Sequence, residues 1–430
     1  MPRARRELVC PQTTPYYHCI TRCVRRAFLC GLDRLTGRSY EHRKQWIVER
    51  LAVLGELFAI DICAYAVMSN HLHVVVRLDP ERAASWSREQ VLERWTGLFS
   101  LPLLAERYRA GDALGKAELA QLDTFVSVYR NRLADLSWFM RCLNEPIARQ
   151  ANAEDNCTGR FWEGRFISQA LLDEAALLTC MAYVDLNPIR AGLADTPEDS
   201  DFTAIQQRIR QWHAGARQDA GTADEAVSAD DALRATLPRL FGFIETKRSE
   251  QPDGLPFTWH DYLQLVDWTG RAVIEGKRGS GPDAAPPVLQ RLGIAQEAWL
   301  QHCGGRKLRF RDVIGRAESV RAAAQQLGRC FLKGVTPARV LFPKPGCPAL
   351  LLQTSNIPIS SDAENLTWAA PAFLADLGAC DPLKKVLGRG RWRHSDHRRL
   401  EVMPSSQVMG RLWVSTFLAC PFIRVSRMAQ

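Results

Sequence analysis

Asp61 to Leu78 reads Asp-Ile-Cys-Ala-Tyr-Ala-Val-Met-Ser-Asn-His-Leu-His-Val-Val-Val-Arg-Leu. It carries the strongest β signal in the chain. Apolar β-formers fill two runs, and Ser69-Asn70 supplies turn chemistry between them. The spacing predicts two strands around that turn. Upstream, Tyr16 to Val24 (Tyr-Tyr-His-Cys-Ile-Thr-Arg-Cys-Val) alternates β-formers with polar residues and predicts a further strand. Between the two, Ile47, Leu51, Leu54 and Leu57 recur at a helical period within residues 40–58. A strand, a helix and a hairpin in that order predict an α+β sandwich.

The hairpin also carries chemistry. Positions i and i+2 of a strand share a face, so His71 and His73 project together while Leu72, Val74 and Val76 face the other way. Two neutral imidazoles on one face can chelate a divalent metal. A strand with two surface histidines has the same pattern.

Further along, residues 79–125 read as amphipathic helix without recognisable chemistry, and Leu136 to Gln150 as another helix. Asn156 to Phe166 is a loop. Its centre, Gly159-Arg160-Phe161-Trp162-Glu163-Gly164-Arg165, suits phosphate contact with base stacking, and equally a loop pinned by its two aromatics. Asp173 can cap a helix that runs through Glu174 towards Asn187, where Pro188 marks the end. Leu177, Cys180, Met181 and Val184 form the apolar stripe of this helix. Tyr183 and Asn187 lie together along its edge. They read as a phenolic nucleophile beside an amide oxygen able to ligate a hard metal, or as a core tyrosine whose hydroxyl reaches water.

The chain of 430 residues is long enough for two or three domains, and 46% hydrophobic residues suffice to bury a core. Its net charge of +9 is basic, but too weakly so to prove nucleic-acid binding. The charge sits at the ends. Residues 1–50 hold 11 Lys/Arg against 4 Asp/Glu, and residues 381–430 hold 10 against 3, which leaves the middle at 9 − 14 = −5. Arg3, Arg5, Arg6, Arg22, Arg25 and Arg26 could face a polyanion or form a solvated basic arm. The 13 cysteines include no Cys-x-x-Cys pair, which argues against a zinc ribbon or disulfide scaffold and for a reduced, cytoplasmic chain with buried thiols. No long uncharged apolar run suggests a membrane span. The basic Met1 to Glu7 is not followed by the apolar stretch of a secretory signal.

Residues 214–232 have a linker composition, and 233–342 predict a small all-helical domain. Within it, Val288–Leu292 and Ile294–Leu300, joined at Gly293, could form a helix-turn-helix. After Pro343 periodicity fades. The Arg-dense piece around Gly388 to Arg399 predicts an irregular, disordered basic tail, or a segment read out of frame.

Taken together and in this order, Asn70-His71-Leu72-His73-Val74-Val75, Arg160-Phe161-Trp162-Glu163 and Tyr183-Val184-Asp185-Leu186-Asn187-Pro188-Ile189-Arg190-Ala191-Gly192-Leu193 resemble the single-tyrosine HUH transposases, in particular the REP-associated branch. Tyr17-His18-Cys19-Ile20-Thr21-Arg22 is similar to the family's first strand. The resemblance spans about residues 10–210 and makes 1–213 the catalytic domain, with an insertion at 79–125. It implies a ferredoxin-like antiparallel sheet with helices on one face. It implies Tyr183 as nucleophile, with His71, His73 and Asn187 as ligands of Mg²⁺ or Mn²⁺. The substrate it implies is single-stranded or hairpin DNA, met by Arg22, Arg160, Trp162, Arg165 and Arg190 and cleaved through a 5′-phosphotyrosine. Monomers and homodimers both fit. Two other readings compete. One is a domesticated relative that grips hairpin DNA without cutting it. The other is a metal-dependent hydrolase, which needs more ligands than His71 and His73; His18, His42, His213, His260, His302, His394 and His397 show no such arrangement in the sequence.

Overall fold

The computed structural model describes residues 9–24, 29–33, 37–219, 236–244, 254–275, 285–304 and 310–344. Five strands form one sheet: β1 (Tyr16–Arg22), β2 (Ile60–Val67), β3 (His71–Leu78), β4 (Ile167–Leu171) and β5 (Val313–Ile314). Their order is β2-β3-β1-β4-β5. The first four pair antiparallel, and β5 joins β4 in parallel. The hairpin turns at Ser69-Asn70, as the sequence predicts. β4 has no counterpart among the sequence expectations, because five residues between an irregular loop and a helix cap show no usable period.

Helices α1 (Arg43–Leu57), α2 (Pro80–Ser85), α3 (Arg88–Thr96), α4 (Leu103–Ala110), α5 (Lys116–Leu133) and α6 (Leu136–Glu154) fill the first half. β1, α1, β2, β3, α6 and β4 follow the β-α-β-β-α-β order of a ferredoxin-like unit, and α2 to α5 occupy the insertion. Register puts Tyr17, Cys19 and Thr21 beside Val76, Val74 and Leu72 on one face. α1 and α6 belong to that face: Asn144 of α6 donates to Thr21 Oγ1 at 3.2 Å. Arg50 of α1 donates to the Cys142 carbonyl of α6 at 2.9 Å. The fully buried Arg43 closes the same pair of helices by ion pairs to Glu154 (2.7 Å) and Asp155.

The opposite face holds His18, Ile20, His71 and His73, with Ala64 and Ala66 of β2 beside them by register. α7 (Glu174–Asp185) packs against β2, β3 and β4. Ala64 and Ala66 are wholly buried and small enough to let a helix approach. Asp173 caps α7 by accepting from the Ala176 amide at 2.9 Å, as predicted. Pro188 does not simply stop the helix. After Leu186 the chain re-enters helix as α8 (Asn187–Arg190), with the proline in its first turn. There the missing N–H leaves no hydrogen bond unmade.

α9 (Ala204–Asp219) follows, so residues 214–219 of the expected linker are helical; 220–232 lie outside the described residues. The second half contributes α10 (Trp259–Glu275), α11 (Pro287–Arg291), α12 (Gln296–Cys303), α13 (Ala317–Gln326) and α14 (Val335–Leu341). It is helical with one exception, β5, whose two residues are too few to announce a strand. Tyr262 of α10 donates to Asp185 of α7 at 2.5 Å, and Trp299 of α12 donates to Thr269 of α10 at 3.0 Å. α11 and α12 do meet around Gly293, at φ +56°. Trp299 faces inward and is fully buried, while Gln296 and Glu297 at the start of α12 are exposed. All described residues fall in one compact unit, 1–353. No helix among them is long and apolar enough to cross a membrane. The basic residues Arg3, Arg5, Arg6, Arg25 and Arg26 and the tail from 345 onward lie outside the described residues.

Candidate active site

The site grows from one strand face. His71 and His73 share it, and His73 is buried at 3% exposure. Behind them runs a chain of hydrogen bonds. Gln169 of β4 donates through Nε2 to the carbonyls of Phe310 (3.1 Å) and Arg311 (2.9 Å). Its Oε1 is therefore the acceptor facing His18 Nδ1 at 2.9 Å. With its proton on Nδ1, His18 offers the Nε2 lone pair to His73 Nδ1–H at 2.8 Å. The last member, His73 Nε2, is then a bare lone pair, buried and without a hydrogen-bond partner. Burial holds His18 neutral, its pKa lowered to about 4, and pushes His73 well below the usual histidine value. Burial, together with the charges of Arg22 and Arg190, lowers His71 to about 4. His71 Nδ1 lies 2.5 Å from Asn70 Oδ1, which leaves Nε2 as its lone-pair nitrogen.

Tyr183 and Asn187 come to the same place from α7 and α8. The Tyr183 ring stands edge-on to His73, centroids 6.0 Å apart. The Arg190 guanidinium lies 4.3 Å over that ring and also donates to Asn187 Oδ1. Asn187 is buried, and its Nδ2 has no partner. A cavity of about 570 Å³ is lined by His71, His73, Tyr183 and Asn187, together with Arg22, Arg165 and Arg190. Three of the five arginine and tryptophan positions expected to meet DNA thus share the cavity. Arg160 is exposed outside it. Trp162 is outside as well: its indole donates to the Asn144 carbonyl at 2.9 Å, and it packs edge-on against Phe161. It pins its loop to α6 and is half-buried.

Sequence reasoning missed three residues. His18 was set aside with the other histidines, yet it fixes the tautomer of His73. Gln169 sits in the strand that carried no signal. His302 of α12, from the other half of the chain, tilts against Tyr183 with ring centroids 5.5 Å apart. His18 is readable from the sequence only as part of a predicted strand; the register that sets Ile20 opposite His73, and so His18 beside it, belongs to the folded sheet. Nothing in the sequence pairs residue 302 with residue 183. Asp185 is buried away from the cavity, held by Tyr262, with its pKa raised by burial to about 7.

Tested against a hard divalent ion, the donor set fits in part. Two neutral imidazoles present lone-pair Nε2 atoms, and the orphaned one on His73 is what a ligand needs before its metal arrives. Asn187 Oδ1 already accepts from Arg190, so it would ligate through its remaining lone pair. Among the described residues, no group of three or more His, Cys, Asp or Glu side chains is placed to hold a metal.

No protein-family model matches the chain, and no curated protein matches it. One solved structure is similar: a REP-associated tyrosine transposase bound to a REP hairpin, at 14% identity over 49% of this chain and 86% of that one, with a TM-score of 0.27. A likeness at that score is too distant to carry an inference about this chain.

Proposed function

We propose that the protein cleaves and rejoins single-stranded DNA through Tyr183, beside a Mg²⁺ or Mn²⁺ ion held by His71, His73 and Asn187. The observation that carries this reading is the lone pair of His73 Nε2, fixed by its neighbours and left unpartnered in the cavity that Tyr183 lines. A bound divalent ion would polarise the scissile phosphate and offset the charge that builds on it. This chain's own residues do the rest. Arg22, Arg165 and Arg190 bind the phosphates that enter the cavity. Arg190, lying over the ring, orients Tyr183. The phenol oxygen attacks phosphorus, and the bond from phosphorus to the 3′ oxygen breaks. The phenolic proton goes to solvent, and the departing 3′ oxygen takes up a proton. The phosphodiester energy is retained in the 5′-phosphotyrosine, so a second 3′-hydroxyl reseals the strand by the reverse displacement without ATP.

A covalent-adduct assay tests this. The protein is incubated with Mg²⁺ or Mn²⁺ and labelled hairpin-bearing oligonucleotides from its own genomic flanks, then run on a denaturing gel. The expected result is a labelled band that EDTA abolishes and that Tyr183→Phe lacks while still binding the oligonucleotide. An adduct that survives Tyr183→Phe would move the nucleophile elsewhere.

The Arg190–Asn187 hydrogen bond favours a second reading, a relative that binds hairpin DNA without cutting it, because it engages the third ligand atom. Oligonucleotide binding that is indifferent to metal, with no adduct, would select that reading.

A further inference from the structure

A second cavity, of about 390 Å³, adjoins the first: Ile20, Tyr183 and Arg190 line both. Its remaining walls come from two separate stretches of chain. His18, Gln169 and Cys180 belong to the sheet and α7; His302, Phe310 and Arg311 belong to the second half. The volume is at the low end for ligand pockets, enough for one planar heterocycle and too small for a duplex.

The wall is aromatic. His302 tilts against Tyr183 at 5.5 Å and meets Phe310 edge-on at 6.2 Å. Burial lowers the pKa of His302 to about 4, so this ring is an uncharged stacking partner at neutral pH. The polar groups of Gln169 and His18 are already committed to one another, to His73 and to two backbone carbonyls. The one buried ring nitrogen left without a partner on the lining residues is His302 Nδ1, so the cavity offers ring faces and a single such polar atom. That suits a ligand recognised by its π-face whatever its identity. Arg190 and the exposed Arg311 supply positive charge, and no acidic side chain is among the residues that line it.

We propose that this second cavity is a nucleobase pocket: it takes the base next to the phosphate that Tyr183 attacks and stacks it against Phe310 and His302. The proposal rests on the single-strand reading above. The shared residues Tyr183 and Arg190 are what join the two sites. A strand whose phosphate reaches Tyr183 in the first cavity has its neighbouring base within reach of the second. Arg190 then serves the flanking phosphates of both, and Arg311 adds charge at the second cavity.

The experiment is fluorescence anisotropy of the full chain with hairpin-bearing oligonucleotides from its own flanks, in which one abasic position is walked along the single strand. One position next to the junction attacked by Tyr183 should lose about 5- to 100-fold in affinity, the range that base–aromatic stacking gives. Phe310→Leu should weaken the intact oligonucleotide and make that abasic position almost silent. 2-Aminopurine at the same position should be quenched on binding to the unaltered protein, a readout that needs no variant. Equal losses at every position, or a bright 2-aminopurine, would overturn the pocket and leave DNA binding standing. A position-specific loss without any covalent adduct would leave the pocket standing and overturn the nucleophile. Failure to bind any of the oligonucleotides would remove the single-strand reading itself, and the pocket with it.

Discussion

His73 shows how much one residue's chemistry depends on neighbours that are distant in sequence. The doublet His71-x-His73 is legible because a strand's period of two puts both rings on one face. Which nitrogen of His73 carries the proton is not legible. That depends on His18, and His18 depends on a glutamine amide turned by the Phe310 and Arg311 carbonyls. Tyr183 and Asn187 were readable as a pair from helical spacing; the arginine that links them was readable only as a positive charge. The relay gives a sharp prediction. Gln169→Leu keeps the volume but removes the acceptor that holds His18 in its tautomer. Mn²⁺ affinity, measured by titration calorimetry, should fall about 10- to 100-fold, the usual cost of losing an outer partner of a ligating histidine. An unchanged affinity would mean that the relay does not set the ligand.

At the scale of elements, the sequence was most legible where a period ran long enough to be seen. α1, the hairpin of β2 and β3, and α6 were placed within a few residues, because each repeats its apolar pattern several times. β4 and β5 were not, with five residues and two. The contacts that clamp helices together were also hidden. Arg43, at 0% exposure, holds α6 to α1 through Glu154 and Asp155, and nothing in its local sequence separates it from the surface arginines nearby. This clamp makes stability depend on pH in a definite direction. Arg43 holds the Glu154 carboxyl below its ordinary pKa, against the opposing effect of burial. A depressed carboxyl stabilises the fold above its unfolded pKa, and that contribution is lost as the pH falls through the folded value. Urea midpoints of the unaltered protein should therefore drop, on acidification below about pH 4.5, more steeply than those of Glu154→Gln. Parallel curves would contradict the clamp.

For the whole molecule, the linker composition of residues 214–232 divides the sequence into a catalytic part, as the resemblance implies, and a helical part. The described residues of both parts share one compact unit. The second half supplies a strand to the sheet, a hydroxyl to Asp185 and a ring to Tyr183. A chain ended after Asp219 loses all three. It also uncovers Leu186 and Ile189, which face Gly270 of α10. Such a chain should lack the cooperative thermal transition of the full protein and should be cut by protease within α7. A truncated chain that melts like the full one would show that the halves are independent after all.

The pairing of Ala170 with Val313 has a consequence for how the protein is made. Contacts so far apart in sequence form late, because the intervening chain must close a long loop before any of them repays the entropy. During synthesis the delay is physical. At about 5–20 residues per second, the ribosome needs roughly 6–24 seconds to advance from Tyr183 to His302. Throughout that interval the nascent helix of Tyr183 has left the peptidyl-transferase centre while the ring that will pack against it does not yet exist. Tyr183 is made early and is seated only when the second half arrives.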